Sequence, residues 1–581
     1  MEVIRRQPFV VAGMHRSGTS LTASMLDLLG IEMGDHLVPA NSANPRGYFE
    51  DADFVAFHRR LFRSIHPAGA AGYVDWGWVD AMSTSSSAEP NLRQFYSDAR
   101  RLAALREQSA AGRWWGFKDP RTTVLLDFWD TCLDDARYVF VYRAPWLVAD
   151  STQRLKTRAF LENPHYTYRI WNYYNTRLLD FCSRNRERCL LLNIDGLVAD
   201  TARLPALLHA KFGVEPSHVD HSARIDSSLI HTNDDPILGD LVLACMPHIR
   251  RTYEQLESYA DIRDPNDAGR SWSGYTQPID PIAVSIVIPT CDDAIFLLEA
   301  LASVKHCRSS DAEVIIVNDG TSDSEDQQIL QALKDLGFTV IDQPNRGLAA
   351  ARNVGVACAV GSLILPLDAD NRLLRGFIEA ARAKLEQDAA LGVVYGDIQL
   401  FGELTGRVRV SDFDLRKMVR ASYIEPCALY RRALWVDVGG YDEDMPMAED
   451  WEFWLHAGSR GWRFLHLDFV SFDYRVRPGS LLGRSSRVHV IRRVWARLLE
   501  KHHGLLYRAM PRFFRSAAEG RKIDAGSPLG RRARLITGLY WRSRWLSRGL
   551  VLLFGARVWW RRVLRRVKRL REQYFSQRLG P

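Results

Sequence analysis

Short apolar runs separated by helix-length amphipathic stretches dominate the first 260 positions of this chain. Phe9-Val-Val-Ala12 is a β-rich run that ends in a Gly/Ser/Thr turn, and Leu21 to Leu29 follows with helical apolar spacing. That pattern predicts a strand, a loop and a helix in succession. Trp115-Gly-Phe117, Tyr138-Val-Phe-Val-Tyr142 and Cys189-Leu-Leu-Leu-Asn-Ile194 are further strand candidates, separated by long helical segments. Such alternation predicts a mostly parallel sheet with ligands at the C-terminal strand ends. From Ile262 to Pro281 the periodicity stops and Asp, Pro, Asn, Gly and Ser take over, which marks a domain boundary.

A second α/β pattern opens with Val284-Ser-Ile-Val-Ile-Pro289 and a helix through Leu297 to Val304. Glu313-Val-Ile-Ile-Val-Asn-Asp319, Phe338-Thr-Val-Ile-Asp342, a helix over Ala349 to Ala359 and the strand Leu363-Ile-Leu-Pro-Leu-Asp368 follow. Each strand ends on a polar or acidic residue, where a nucleotide would be read. The expected organisation is residues 1–262 as one domain, 263–281 as linker, 282–520 as a second domain and 521–581 as a basic amphipathic tail.

Length and composition agree with this division. At 581 residues the chain exceeds what one hydrophobic core supports, and 46% hydrophobic with 25% charged residues is ordinary for a globular protein. The net charge of +8 is unevenly spread, because residues 531–581 carry fifteen Lys/Arg against Glu572 alone. In this tail Trp541, Trp545, Trp559 and Trp560 interleave with Arg at roughly helical spacing, which suits an anionic membrane surface. Packing of the tail on the protein itself is the alternative. No recognised nucleic-acid-binding motif accompanies the charge, so no nucleic-acid partner is expected. The eight cysteines show no C-x-x-C pair and read as reduced core residues of a cytosolic protein. The N-terminus lacks a signal-type apolar region, and the apolar stretch Gly549 to Trp560 is too short to span a bilayer and contains Arg557.

Two segments carry candidate chemistry. In Gly13-Met-His-Arg-Ser-Gly-Thr-Ser20 a Gly-rich turn enters a helix, leaving backbone N–H groups at the positive end of the helix dipole for an anion. Gly13 and Gly18 have the spacing of the nucleotide triphosphatase loop, yet Thr19-Ser20 stands where Lys-Ser/Thr would be, and Arg16 supplies the cation inside the loop. This departure argues against a nucleoside triphosphate with Mg²⁺. In the second half, Asp368-Ala-Asp370 places two carboxylates on one side at a strand end, suited to a hard divalent ion bridging a diphosphate. Glu449-Asp450 adds a second acidic pair, while His456, His466, His502 and His503 do not form a convincing ligand set.

The first segment resembles the sulfotransferase family, as do Lys118-Asp-Pro-Arg121 and Tyr142-Arg-Ala-Pro145 with Ser151 eight positions after Arg143. The resemblance covers roughly residues 8 to 260 and implies a P-loop-like parallel sheet that binds 3′-phosphoadenosine 5′-phosphosulfate. It implies that Arg143 and Ser151 hold the 3′-phosphate and that Arg16, Thr19 and Ser20, within the Gly13, Ser17 and Gly18 turn, hold the 5′ side. Lys118 and Arg121 would join the site. Arg16 would neutralise charge on the sulfuryl group, and Glu50 in Asn44-Pro-Arg-Gly-Tyr-Phe-Glu50 is the candidate base, with His58 the second choice.

Residues 284 to 482 resemble family-2 glycosyltransferases of the GT-A (Rossmann-like) fold. Val284-Ser-Ile-Val-Ile-Pro-Thr290, Val317-Asn-Asp-Gly-Thr-Ser-Asp323, Asn345-Arg-Gly-Leu-Ala-Ala-Ala-Arg-Asn353, Gly439-Gly-Tyr-Asp442, Ala448 to Trp454 and Tyr474 to Ser480 carry that resemblance. It implies that Asp292 and Asp319 lie near base and ribose, and that Asp368 and Asp370 engage the nucleotide-sugar and Mn²⁺ or Mg²⁺. Asp450 is then the base for an inverting transfer.

The expectation is an α/β protein with two transferase domains, working at the inner membrane face on a glycan or lipid-linked acceptor for surface polysaccharide or glycolipid synthesis. Its rivals are a glycosyltransferase with a non-catalytic sulfotransferase-like acceptor-binding module, and a scaffold in which both sites are degenerate.

Overall fold

The computed structural model describes residues 6–41, 44, 47–66, 69–83, 92–215, 235–266, 283–307, 312–478 and 488–509. The tail from 521, and most of the expected linker, lie outside them. The chain divides into two compact units, 1–272 and 273–581. Among the described residues no helix is long and apolar enough to cross a membrane.

The first unit is built on strands β1 (Phe9–Ala12), β2 (Ile31–Glu32), β5 (Trp114–Lys118), β6 (Arg137–Tyr142) and β7 (Cys189–Asn193), with β3 (Gly72–Tyr73) and β4 (Trp78–Val79) forming a separate ribbon. The five-stranded order is β2-β5-β1-β6-β7, every pair parallel. Phe9 to Ala12 are wholly buried, the all-apolar reading of a strand covered on both faces. Beneath one face, Val11, Val139, Val141, Leu190 and Leu192 meet Ala23, Met25 and Leu26 of the helix Thr19–Leu28. Successive strands diverge on either side of β1, so the crevice beyond its C-terminal end is the natural ligand position.

The second unit has a nine-stranded mixed sheet. Its strands are β8 (Val284–Thr290), β9 (Ala312–Asp319), β10 (Thr339–Gln343), β11 (Leu363–Pro366), β12 (Arg372–Leu373), β13 (Leu391–Gly402), β14 (Gly406–Val408), β15 (Leu429–Arg431) and β16 (Arg463–Val476). The order is β10-β9-β8-β11-β15-β13-β16-β12, with β14 paired to β13. The first four are parallel, as the alternating pattern predicts. Beyond β11 the sheet turns mixed, with β15 antiparallel to both β11 and β13. The long β13–β16 pairing shifts register between Gly396 and Ile398, the kind of irregularity that bends a sheet. The strand order reverses between β8 and β11, which puts Asp292 and Asp368 on opposite sides of the switch point.

Candidate active sites

Four strand ends of the first unit converge on one cavity of about 730 Å³. Its wall includes Arg16, Thr19, Glu50, Lys118, Arg143 and Ser151. Gly13 and Ser17 do not line it. Gly13 and Gly18 set the backbone geometry of the turn: a Cβ on Gly13 would sit 2.1 Å from the Val141 carbonyl of β6, and one on Gly18, at φ +91°, would sit 2.2 Å from Ile194. Arg16 itself adopts φ +71°, a left-handed conformation that costs a non-glycine residue about 1–2 kcal/mol. Helix Thr19–Leu28 begins with no side-chain cap, so its first N–H groups are left for an anion.

Arg16 Nε donates to Ser151 Oγ at 2.9 Å, joining the two sequence motifs across the crevice. Burial, and Arg143 nearby, lower the Arg16 pKa, while Tyr48 opposes them. Arg143 forks onto Asp195 through two 3.1 Å hydrogen bonds, so part of its charge is already matched. Lys118 Nζ donates to Glu50 Oε1 at 2.7 Å, both groups buried. His58 differs from Glu50 in having no free nitrogen. Its Nδ1 faces Asp119 at 2.8 Å and its Nε2 accepts the Trp129 indole N–H at 2.8 Å, and the side chain is fully buried. It therefore acts as a post for Asp119, which also receives Arg121 at 2.9 Å. Although burial opposes ionisation, Arg121 and His58 hold the Asp119 carboxyl far below the usual aspartate range.

His15 had no role in the sequence reading. It lines the cavity, its ring stacks on Trp76 at 4.3 Å, and burial together with Arg121, Lys118 and Arg16 pushes its pKa well down, with Asp119 opposing.

In the second unit the organising residue is Arg352, which is 1% exposed and comes from the helix Leu348–Cys358. One arm of its guanidinium reaches Asp368 Oδ1 at 2.6 Å and the other pairs with Glu449. Asp368 at the strand end and Glu449 at the helix start are thus clamped by a single cation. Tyr474 senses the same cluster: burial, then Glu425, Asp368, Asp370 and Asp450, raise its hydroxyl pKa strongly. Asp370 Oδ2 accepts Arg477 Nε at 3.0 Å, and Arg477 continues to Asp293 at 2.6 Å. Burial pushes Asp370 up, with Arg477 opposing and Asp368 adding to the rise. Burial likewise pushes Asp293 up to about 6, against Arg477. Carboxylates outnumber the two arginines, and two hard oxygen donors from a D-x-D turn fit a divalent cation.

Asp450 lies in the first turn of helix Glu449–Ser459, entered through Ala448 in a left-handed conformation at φ +59°. Burial, reinforced by Glu449 and Glu425 and opposed by Arg352, raises its pKa well above the usual carboxylate range. Asp319 accepts three bonds, from Gln343 Nε2 at the end of β10 at 2.7 Å and from the Arg346 and Gly347 amides just beyond it at 2.8 Å. Asp292, at φ +54°, accepts the Ser322 and Asp323 amides at 2.7 and 3.1 Å. Both carboxylates hold backbone in place, Asp292 at Ser322 and Asp323 and Asp319 at Arg346 and Gly347. Arg352, Glu425, Arg477 and Tyr474 had no assigned role in the sequence reading.

Comparison with known proteins matches one family to each unit. Residues 8–215 match the family described as Sulfotransferase family, and residues 285–436 match Glycosyl transferase family 2. The uncharacterized glycosyltransferase EpsJ of Bacillus subtilis is 29% identical over 34% of this chain and 62% of its own length. The uncharacterized glycosyltransferase YwdF of the same organism is 30% identical over 38% of this chain and 84% of its own. Chondroitin synthase of Pasteurella multocida is 26% identical over 33% of this chain and 20% of its own length. Among solved structures, S. aureus TarS 1-349 in complex with UDP-GlcNAc matches 42% of this chain and 76% of its own, at 21% identity and a TM-score of 0.33. The Pyrobaculum calidifontis mannosyltransferase PcManGT, in complex with GDP-Man and Mn²⁺, covers 56% and 97% at 17% identity and a TM-score of 0.31. The chain belongs to glycosyl transferase family 2 and carries a sulfotransferase-family domain ahead of that region.

Proposed function

We propose that this chain is a bifunctional group-transfer enzyme whose first unit sulfates a hydroxyl and whose second transfers a sugar with inversion. The observation that carries the first half is the Arg16–Ser151 contact over an uncapped helix start, beside the Lys118–Glu50 pair. The donor is 3′-phosphoadenosine 5′-phosphosulfate. Its 5′-phosphosulfate lies on the Thr19 and Ser20 amides with Arg16 against the sulfuryl oxygens, and its 3′-phosphate lies towards Arg143 and Ser151. The acceptor oxygen attacks sulfur as the S–O bond to the 5′-phosphate breaks. Glu50 takes the hydroxyl proton, and Lys118 holds that carboxylate in place.

The Arg352 clamp supports the second half. Asp368 and Asp370 would hold Mn²⁺ or Mg²⁺, which supplies Lewis-acid neutralisation of the leaving diphosphate. Asp292 and Asp319 shape the nucleotide crevice. Asp450 accepts the proton of the acceptor hydroxyl as its oxygen bonds to the anomeric carbon and the bond to the nucleoside diphosphate breaks. Its raised pKa makes it a stronger base than an ordinary aspartate. The acceptor is a glycan or lipid-linked sugar of a surface polysaccharide or glycolipid. The Arg/Trp-rich sequence of 531–581 supports peripheral attachment to the inner membrane face.

The test follows ³⁵S from labelled donor and a radiolabelled nucleotide-sugar with the same purified protein and a panel of glycan acceptors. Glu50→Gln should abolish only the sulfate label and Asp450→Asn only the sugar label. Sugar transfer with no acceptor-dependent sulfate label would leave the first unit as a binding module, and neither label would refute both halves.

A further inference from the structure

A second group of side chains in the glycosyltransferase unit, separate from the Asp368 and Asp370 pair, has the make-up of a transition-metal site. Glu452 and His456 stand four residues apart on helix Glu449–Ser459 and so share a face. The helical segment Val488–Ala509 breaks at His502, whose φ of −123° and ψ of 26° are non-helical. His502 Nε2 lies 2.6 Å from Glu452 Oε1, and its ring centre is 5.2 Å from that of His456. One donor atom from each of the three residues falls within 4.8 Å of the other two.

An internal salt bridge leaves two features of this group unexplained. Glu452 is fully buried, yet its Oε2 has no hydrogen-bond partner. His456 Nδ1 is also buried without one and lies 3.8 Å from Glu452 Oε1, beyond hydrogen-bond reach. Buried polar atoms of this kind normally find a partner. Lys501 Nζ is the cation now nearest, at 3.1 Å from Glu452 Oε1, and it also lies 3.6 Å from Asp442, on which it could remain paired.

We propose that Glu452, His456 and His502 bind a zinc-class divalent ion, with Lys501 displaced towards Asp442. Two imidazoles and one carboxylate are a known three-ligand zinc set with a fourth position for water, and imidazole donors disfavour the hard Mg²⁺ that suits Asp368 and Asp370. Bound there, the ion ties the segment 488–509 to the helix that carries Asp450 two residues before Glu452.

The experiment uses the full chain, tag removed and stripped with a chelator, held in excess Mg²⁺ to occupy the hard-ligand pair. Zn²⁺ is titrated calorimetrically, and Co²⁺ is used as a spectroscopic substitute. One equivalent of Zn²⁺ at micromolar affinity or tighter is expected, with visible Co²⁺ bands of a four- or five-coordinate nitrogen/oxygen site. Asp370→Asn should retain both signals. His456→Gln and His502→Ala should lower affinity by more than the roughly 10–100-fold typical of losing an outer-shell partner. Lys501→Met should tighten binding, because it removes the competing charge, whereas a purely structural salt bridge would only lose stability. Wild-type protein that binds no Zn²⁺ beyond what Asp370→Asn removes would overturn the proposal, as would unchanged affinity in folded His456→Gln.

Discussion

Replacing Arg352 probes the second centre most sharply, because one guanidinium is asked to hold two acidic elements. Arg352→Met keeps much of the side-chain volume and removes the charge. Glu449 is then left buried without a cation, and breaking a buried pair from one side costs about 3–5 kcal/mol. Asp368 adds less, since its side chain is 27% exposed and solvent screens it. Arg352→Lys keeps the charge but gives up the fork, and should lose about one charge-assisted hydrogen bond, roughly 1.5–3 kcal/mol. Hydrogen exchange on peptides covering 348–358 and 449–459 reads this unit without interference from the other. Protection should fall in the order wild type, Lys, Met, and Glu449→Gln should restore part of the Met loss. A Met variant within about 1 kcal/mol of wild type at neutral pH would refute the clamp.

Three further outcomes are expected. Gly18→Ala forces a Cβ to 2.2 Å from Ile194 at φ +91°; the backbone strain alone is about 1–3 kcal/mol, and calorimetry should show adenosine 3′,5′-bisphosphate binding lost while sugar-nucleotide binding remains. Since Asp450 must be ionised to act and its pKa is raised by burial and by Glu449, kcat for glycosyl transfer should fall on the acid side at a pH above the ordinary aspartate range; Glu449→Gln should move that limb down, and an unmoved limb would count against Asp450 as base. Asp119 is depressed in the folded state, so its stabilising contribution is present above the ordinary aspartate pKa and is lost as pH falls below it; Asp119→Asn should destabilise the first unit by about 3–5 kcal/mol at pH 7, by stranding Arg121, and flatten its acid limb in thermal melts.

The parallel parts of both units were legible because their strands are short continuous apolar runs ending in turn or acidic residues. Phe9 to Ala12 and Leu363 to Asp368 locate the two crevices from pattern alone. The pairing of β13 with β16 went unread, although Arg463 to Val476 alternates polar and apolar positions over part of its length. Its partly exposed faces give a weaker signal than a fully buried strand. Single-residue chemistry followed the same divide. Arg16, Asp368 and Asp370 stand inside compact motifs, whereas Arg352 meets Glu449 across 97 positions and Lys118 meets Glu50 across 68. No local period encodes such contacts. His58 shows the converse error, where a titratable residue near a motif suggested a base and the fold gave both its nitrogens to Asp119 and Trp129.

Calorimetric titration of the intact protein with adenosine 3′,5′-bisphosphate and with UDP or GDP, each with and without Mn²⁺, separates two unlike donor crevices. The bisphosphate should bind without metal and be lost in Arg16→Ala. One of the nucleoside diphosphates should require Mn²⁺ and be lost in Asp370→Asn, with neither class of nucleotide displacing the other. Mutual competition, or bisphosphate binding that needs the metal, would contradict this arrangement.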